Sequence, residues 1–106
     1  MNTVTYERSG PLSMALLQDA YYVLVWGYTE PDTIKCSRAT KAKLITDLFP
    51  DAHLDNDRVI RFCNATLEYD DTLDDHTIII CYTEPPEYFK QHKCAYQVRV
   101  TLTEPG

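Results

Sequence analysis

The chain begins and ends on stretches in which apolar and polar residues alternate. Near the start, Val4 and Tyr6 each have polar residues on both sides. The longer stretch near the end contains the apolar residues Tyr96, Val98, Val100 and Leu102. Alternation with a period of two is typical of a strand that buries one face. The pattern therefore predicts a short first strand around residues 4–6 and a half-buried last strand over residues 96–103.

Two other stretches are apolar or aromatic at nearly every position. Residues 20–28 read A-Y-Y-V-L-V-W-G-Y, and residues 77–82 read T-I-I-I-C-Y. β-Branched and aromatic side chains favour strands. A strand that is apolar on both faces belongs in the middle of a sheet, where both faces are covered. Both stretches are therefore predicted to be central strands.

Two stretches show helical features. Pro11 suits the first turn of a helix, and apolar residues at 12, 15 and 16 extend the prediction to a short helix over residues 11–19. Ser37 can cap a second helix with its hydroxyl. The apolar stripe of this second helix consists of Leu44, Ile45, Leu48 and Phe49. Pro50 is predicted to end it, because the residue before a proline disfavours helical geometry.

Residues 58–69 fit either element. Val59, Ile60, Cys63 and Leu67 have helical spacing, but most residue types in this segment favour a strand or are indifferent. A strand is the preferred interpretation. Residues 70–75 then form an acidic hairpin loop that leads into the strand at 77–82.

These elements predict one α+β domain over residues 1–106. Strands and helices mix without strict alternation, which indicates a single antiparallel or mixed sheet of four to five strands with two helices packed on one face. A ferredoxin-like arrangement is disfavoured, because about eight residues separate the last two strands and a parallel crossover needs at least about ten to twelve. Antiparallel pairing of the last two strands is expected instead.

The charge of the chain is concentrated in one segment. Residues 51–75 hold eight acids and two bases, which equals the net charge of −6 for the whole chain. Because a phosphate backbone attracts positive surfaces, direct binding of nucleic acid is not expected. No apolar run approaches the roughly 20 residues needed to cross a bilayer, and the first residues lack the pattern of a secretory signal. These features predict a soluble, cytoplasmic protein that does not bind membranes.

The tripeptide T-E-P occurs three times, at Glu30, Glu84 and Glu104. Three glutamates at sheet ends could bind a cation. If the last two strands are antiparallel, however, Glu84 and Glu104 leave opposite ends of the sheet. Since proline cannot continue a strand ladder and favours a turn, the tripeptide is interpreted as the end of three strands.

No known catalytic or metal-binding motif is present. The aspartates near residues 55–57 and 70–75 lack the glycine turn of a calcium loop, and Cys63, Cys81, His92 and Cys94 contain no C-x-x-C pair. Neither a nucleophile elbow nor a phosphate-binding loop is found. The four cysteines are expected to be reduced thiols, with Cys63 and Cys81 buried. The protein is therefore predicted to be non-enzymatic and without a cofactor; a small metal-binding protein or enzyme is kept as an alternative.

Recognition of another protein is the remaining function. The predicted partner-binding residues combine carboxylates with one aromatic ring: Asp55, Asp57, Glu68, Tyr69, Asp70, Asp71, Asp74 and Asp75. The expected partner is a protein or ribonucleoprotein with a basic surface. In its size, acidity and eight tyrosines, the chain resembles phage-encoded inhibitors of host nucleic-acid enzymes, anti-CRISPR proteins among them. The second hypothesis is a structural or assembly subunit that pairs with itself through an edge strand at residues 96–103.

Overall fold

The computed structural model describes residues 2–47 and 61–103, with Arg61 described by its backbone alone. Nine elements follow one another along these residues. They are β1 (Asn2–Gly10), α1 (Met14–Gly27), β2 (Thr33–Cys36), α2 (Arg38–Asp47), β3 (Arg61–Phe62), β4 (Ala65–Tyr69), β5 (Thr77–Cys81), α3 (Glu87–His92) and β6 (Cys94–Leu102).

All of these strands belong to one sheet, in the order β1-β6-β5-β2-β4-β3. The pairs β1–β6 and β2–β4 are parallel, and the other three pairs are antiparallel. The sheet is therefore mixed, with five strands of at least four residues and a sixth, β3, of two. The predicted α+β class with a single sheet is confirmed.

The two long helices pack on the same face of the sheet. Within the sheet, Ile34 of β2 pairs with Ile80 of β5, and Ile80 pairs with Val98 of β6, so these side chains share a face. The core cluster that contains them also contains Leu24 of α1 and Leu44 of α2. The opposite face carries polar residues such as Glu7, Arg99 and Glu68, which the strand register places on the same side. One covered and one open face is the usual arrangement of a sheet with alternating strands.

The predicted strand over residues 20–28 is wrong, because most of this segment is the second half of α1. The helix begins later than predicted: Ser13, not Pro11, starts it, and the Ser13 Oγ accepts a hydrogen bond of 3.1 Å from the Leu16 N–H. The buried residues of α1 are Leu17, Ala20, Tyr21 and Leu24. Their spacing of three and four residues is that of a helix face. Burial against the sheet has outweighed the strand propensity of the aromatic and β-branched residues.

The central strand is β2, which the pattern did not reveal. Its four residues follow Pro31 and Asp32 and end directly before Ser37. Three of them are buried, and the strand pairs with β5 on one side and β4 on the other. A four-residue segment is too short to show a period.

The Ser37 helix is confirmed as α2. The Ser37 Oγ accepts a hydrogen bond of 3.2 Å from the Thr40 N–H, as expected of a capping residue. Leu48, Phe49 and the predicted stop at Pro50 lie outside the described residues, as do residues 58–60. The strand preference for residues 58–69 holds where it can be followed: β3 and β4 form a hairpin, and Cys63 in its turn has a φ of 54°.

The last two strands, β5 and β6, are antiparallel neighbours as predicted. The edge-strand interpretation of residues 96–103 is wrong, because β6 pairs with β1 on its other side over nine residues. The edges of the described sheet are β1 and β3. None of the helices in the described ranges is both long and apolar enough to cross a membrane.

Candidate protein-binding surface

The acidic loop, residues 70–76, connects β4 to β5 at one end of the sheet. It was predicted as a hairpin loop, but β2 lies between β4 and β5, so the two strands it connects do not pair. The loop instead crosses the end of β2, where the Asp70 N–H donates a 2.8 Å hydrogen bond to the Cys36 carbonyl. This bond anchors the loop to the central strand.

Asp70 and Asp74 stabilise the acidic loop from within. Asp70 Oδ1 accepts hydrogen bonds from the Thr72 hydroxyl at 2.6 Å and the Thr72 N–H at 2.9 Å. Asp74 Oδ1 accepts from the Thr77 hydroxyl at 2.8 Å and the His76 N–H at 2.9 Å. These hydrogen bonds to the hydroxyls and the N–H groups lower the pKa of both carboxyls below the ordinary value. Both groups are therefore charged throughout the neutral range.

Asp75 joins the acidic loop to the start of α2. Its Oδ1 accepts a hydrogen bond of 2.8 Å from the Ser37 hydroxyl, and its carbonyl accepts one of 3.0 Å from the Thr40 hydroxyl. A carboxylate in this position also faces the positive end of the helix dipole. Asp75 was predicted to contact a partner; in the structure it holds the hydroxyls of the capping residue Ser37 and of Thr40.

Tyr69 and Asp71 lie beside a base from α2. The Arg38 guanidinium sits 4.6 Å from the centre of the Tyr69 ring, and Arg38 Nη2 donates a 2.7 Å hydrogen bond to the Tyr69 hydroxyl. The Tyr69 hydroxyl in turn lies 3.3 Å from Asp71 Oδ2. Arg38 therefore holds the ring of Tyr69, which stays 42% exposed, against the acidic loop. It also compensates part of the negative charge.

The remaining predicted residues are not all on this surface. Glu68 pairs in register with Lys35 of β2 on the open face of the sheet and points away from the helices. Asp55 and Asp57 lie outside the described residues. The fold thus brings together Tyr69, Asp70, Asp71, Asp74 and Asp75 at one end of the sheet.

An aromatic cluster lies at the opposite end of the sheet. It consists of Tyr6, Tyr28, Tyr82, Phe89 and Tyr96. The rings of Tyr28 and Tyr96 are stacked with their centres 4.1 Å apart, and the Tyr28 and Tyr6 hydroxyls are hydrogen bonded at 2.9 Å. Burial raises the pKa of Tyr82 to about 12, and burial together with the bond to Tyr6 also raises the pKa of Tyr28.

A pocket of about 270 Å³ opens beside the aromatic cluster. It is lined by Gly27, Tyr28, Thr29, Pro86, Tyr88 and Phe89. Its walls come from the end of α1 and from α3, so the mistaken strand over residues 20–28 concealed it. The same error concealed the exposure of Tyr22 and Trp26 on the surface of α1. The side chain of Trp26 is 86% exposed. The spacing of four residues between Tyr22 and Trp26 was the available signal.

Asp32 joins two of the T-E-P segments at this end. Its carboxylate accepts hydrogen bonds from the Thr83 N–H at 2.8 Å, the Thr83 hydroxyl at 3.0 Å and the Glu84 N–H at 3.1 Å. Partial burial opposes ionisation, but these bonds and one from the Thr33 hydroxyl outweigh it and lower the pKa of Asp32. Burial and hydrogen bonding thus act in opposite directions on this carboxyl.

Of the three T-E-P glutamates, Glu30 and Glu84 lie in the described ranges, and neither belongs to a group of side chains placed there to hold a metal ion. Glu30 follows α1, so its T-E-P ends a helix and not the predicted strand, and Glu30 accepts a hydrogen bond from the Asn64 side chain. Glu84 follows β5, as the interpretation required. Glu104 lies outside the described residues.

The cysteines form no disulfide. All four cysteines are free thiols, and Cys63, expected to be buried, is exposed. Burial raises the pKa of Cys36 to about 11 and also raises that of Cys81, so neither thiol ionises readily near pH 7. Within residues 2–47 and 61–103, no group of three or more His, Cys, Asp or Glu side chains is placed to hold a metal ion.

The chain matches no known family model, no curated protein sequence and no solved structure. The surface geometry and the charges of its residues are therefore the grounds for a functional proposal.

Proposed function

We propose that the chain is a non-enzymatic binding protein that docks its acidic loop on a basic surface of a partner protein or ribonucleoprotein. The observation that carries the proposal is the hydrogen bonding of the Asp70 and Asp74 carboxylates. Both hydrogen bonds to each of these carboxylates end on Oδ1. Among residues 2–47 and 61–103, nothing donates a hydrogen bond to either Oδ2, so each Oδ2 is available to a lysine or arginine of the partner.

Charge supports this docking at a distance. The seven residues of the acidic loop contain four aspartates and no lysine or arginine. A concentrated negative surface speeds the encounter with a positive one and orients it. Three described bases, Arg38, Lys35 and Lys43, lie near the acidic loop and reduce its local charge without matching the four aspartates.

Order within the acidic loop supports it as well. A loop whose carboxylates are already held by Thr72, Thr77 and the backbone loses little conformational entropy on binding. Tyr69, held against Arg38, adds a rigid aromatic contact beside the carboxylates. The partner would therefore meet a preformed surface.

Such a surface would compete with phosphate groups for the same basic site. Carboxylates spaced along a loop present negative charge to lysines and arginines in the way a nucleic-acid backbone does. The finer proposal is therefore inhibition of a nucleic-acid-processing complex by occupation of its phosphate-binding surface, in the manner of the phage inhibitors that the chain resembles.

Capture from a lysate of the source cell tests the proposal. The wild-type chain, Asp71→Lys and the double variant Asp70→Lys/Asp71→Lys are immobilised, and bound proteins are identified after washing at about 50 mM and about 300 mM salt. A captured protein is then purified, and its affinity for each variant is measured with and without a competing DNA or RNA oligonucleotide. We expect weaker binding by both variants, a smaller salt dependence, and competition by the oligonucleotide.

Asp47→Lys is the matched control. It makes the same change of charge at the far end of α2, about 15 Å along the helix from the acidic loop, and Asp47 is exposed. Equal losses in Asp71→Lys and Asp47→Lys would indicate a net-charge effect only. Unchanged affinity of the double variant at low salt would show that the acidic loop is not the binding surface.

A further inference from the structure

The free edge of the sheet at β1 has a hydrogen-bonding pattern that can be read residue by residue. Asn2 donates its N–H to the Lys93 carbonyl at 3.1 Å, and the Gly10 carbonyl accepts from the Thr103 N–H at 2.8 Å. Both bonds lie on the side of β6. Since bonding direction alternates along a strand, the even residues of β1 face β6 and the odd residues direct their N–H and C=O groups outward.

Arg8 occupies one part of this edge. Its Nη1 donates a 2.8 Å hydrogen bond to the Glu7 carbonyl, and its Nε is bound at 3.0 Å to Asp19 of α1. The Glu7 carbonyl is thus satisfied by a side chain that α1 holds in place. Charged side chains over an edge are a common protection against strand pairing.

The first half of β1 has no such protection among the described residues. Thr3 and Thr5 direct their backbone groups outward, and residues 2–6 contain no proline, no lysine and no charge. Val4, between them, is 38% exposed. An uncharged, regular edge of this kind is suited to pairing with another strand.

We infer that β1 pairs with β1 of a second copy of this chain, antiparallel and centred on Val4. In this register Thr3 faces Thr5 of the other copy and Thr5 faces its Thr3. Each of these two pairs exchanges two backbone hydrogen bonds, so the interface has four. The inference does not depend on the acidic loop.

Three features favour this register and this partner. It uses only the outward groups of Thr3 and Thr5 and avoids the Glu7 carbonyl that Arg8 occupies. It brings the exposed Val4 side chains of the two copies together on one face. It also keeps like charges apart: the Leu102 N–H donates to the His76 carbonyl, which places the acidic loop at the far end of β6, away from Val4.

Cysteine cross-linking tests the register. The two Val4 residues would form a non-hydrogen-bonded pair with Cα atoms about 4.5 Å apart, within the range of about 4.4–6.8 Å that a disulfide spans. In a background where exposed Cys63 is changed to Asn, Val4→Cys should form a disulfide-linked dimer under mild oxidation, identified by mass spectrometry. Thr5→Cys is the control, because the two copies of residue 5 are offset by two residues, about 7 Å along the strand. Equal cross-linking of Val4→Cys and Thr5→Cys would overturn the register.

Sedimentation of the unmodified chain tests the association itself. An interface of four hydrogen bonds is small, so dimers should accumulate between about 10 µM and about 1 mM. Thr5→Pro removes one outward N–H from each copy and should lower the association constant about tenfold or more. Ser9→Pro removes an outward N–H beyond the paired segment and should leave association unchanged. A wild-type chain that stays monomeric up to about 1 mM would overturn the inference, whatever the proline variants do.

Discussion

The two ends of the sheet use aspartates in different ways. In the acidic loop, Asp70 and Asp74 accept hydrogen bonds from residues two or three positions away. At the aromatic end, Asp32 accepts from Thr83 and Glu84, which are more than 50 residues away in the chain. The first kind of contact shapes a loop and leaves it exposed. The second extends the contact between the paired strands β2 and β5 beyond their last paired residues, so it should contribute to the stability of the whole sheet.

The largest effect is expected at the aromatic end. Phe89 is 1% exposed and lies within ring contact of Tyr28, Tyr82 and Tyr96. Phe89→Ala should lower the free energy of unfolding by about 3–5 kcal/mol, because it removes buried apolar surface and leaves a cavity. Urea denaturation measures this loss. Phe89→Leu is the control and should lose clearly less; a loss below about 1 kcal/mol for Phe89→Ala would show that the cluster adds little to stability.

Asp32→Ala should have the next largest effect, about 1 kcal/mol, since it removes the acceptor that the exposed Thr83 and Glu84 N–H groups share. Asp70→Ala, which breaks only local bonds, should reduce the free energy of unfolding less. Equal losses of free energy of unfolding in the two variants would show that long-range and local aspartate contacts stabilise the fold equally.

Acid titration sharpens this prediction. The pKa of Asp32 is lower in the folded chain than its usual value of about 3.9 in an unfolded one. The unfolded state therefore binds the proton more readily, so the stabilisation by Asp32 is present above about pH 4 and decreases as the pH falls through the folded pKa. Asp32→Asn should flatten the acid side of the stability curve. An unchanged curve would contradict the assignment.

The stabilisation by Tyr82 should be lost as the pH rises, whereas that by Asp32 is lost as the pH falls. Burial raises the pKa of Tyr82 to about 12, above the value of about 10 for an unfolded chain. Its contribution to stability is thus complete below about pH 10 and is lost as the pH rises through the folded pKa. Phenolate absorbance of the folded protein should show Tyr82 titrating above the value of about 10 for an unfolded chain, and Tyr82→Phe should remove that contribution from the late part of the curve.

The smallest effect on stability is expected in the acidic loop. Asp71→Asn removes a charge whose described contact is the long 3.3 Å approach of the Tyr69 hydroxyl. Its unfolding midpoint should match that of the wild-type chain, while the salt dependence of partner binding decreases. A destabilised Asp71→Asn variant would mean that the charge of Asp71 stabilises the fold, as the charge of Asp32 does at the aromatic end.

The sequence predicted those features that have local causes. The Ser37 cap, the antiparallel β5–β6 pair and the one-sided packing of the helices follow from a single side chain, a short connection and an alternating pattern. The segment over residues 20–28 failed because its residue types favour a strand while the buried positions within it have helical spacing. As a result, a central strand was predicted where the second half of α1 lies, and the central strand β2 was missed.

The candidate surface was predicted in composition but not in organisation. A cluster of aspartates shows where negative charge lies. Only the contacts distinguish Asp75, which accepts from the capping residue Ser37, from Asp70 and Asp74, each of which has one oxygen without a hydrogen bond from the described residues. The aromatic pocket was missed because its walls come from α1 and α3, which are brought together by the sheet between them. Asp32 was overlooked because its partners are distant in the sequence.

The pairing of β1 with β6 has a consequence for how the chain is made. Asn2 lies opposite Cys94 and Gly10 opposite Leu102, so each pair is separated by 92 residues of sequence. No part of this nine-residue ladder can form during synthesis until nearly all of the described chain has been translated, and contacts of such long range slow folding. Until then both edges of β1 are open, and a nascent chain will depend on rapid completion of its last strand to avoid pairing with its neighbours.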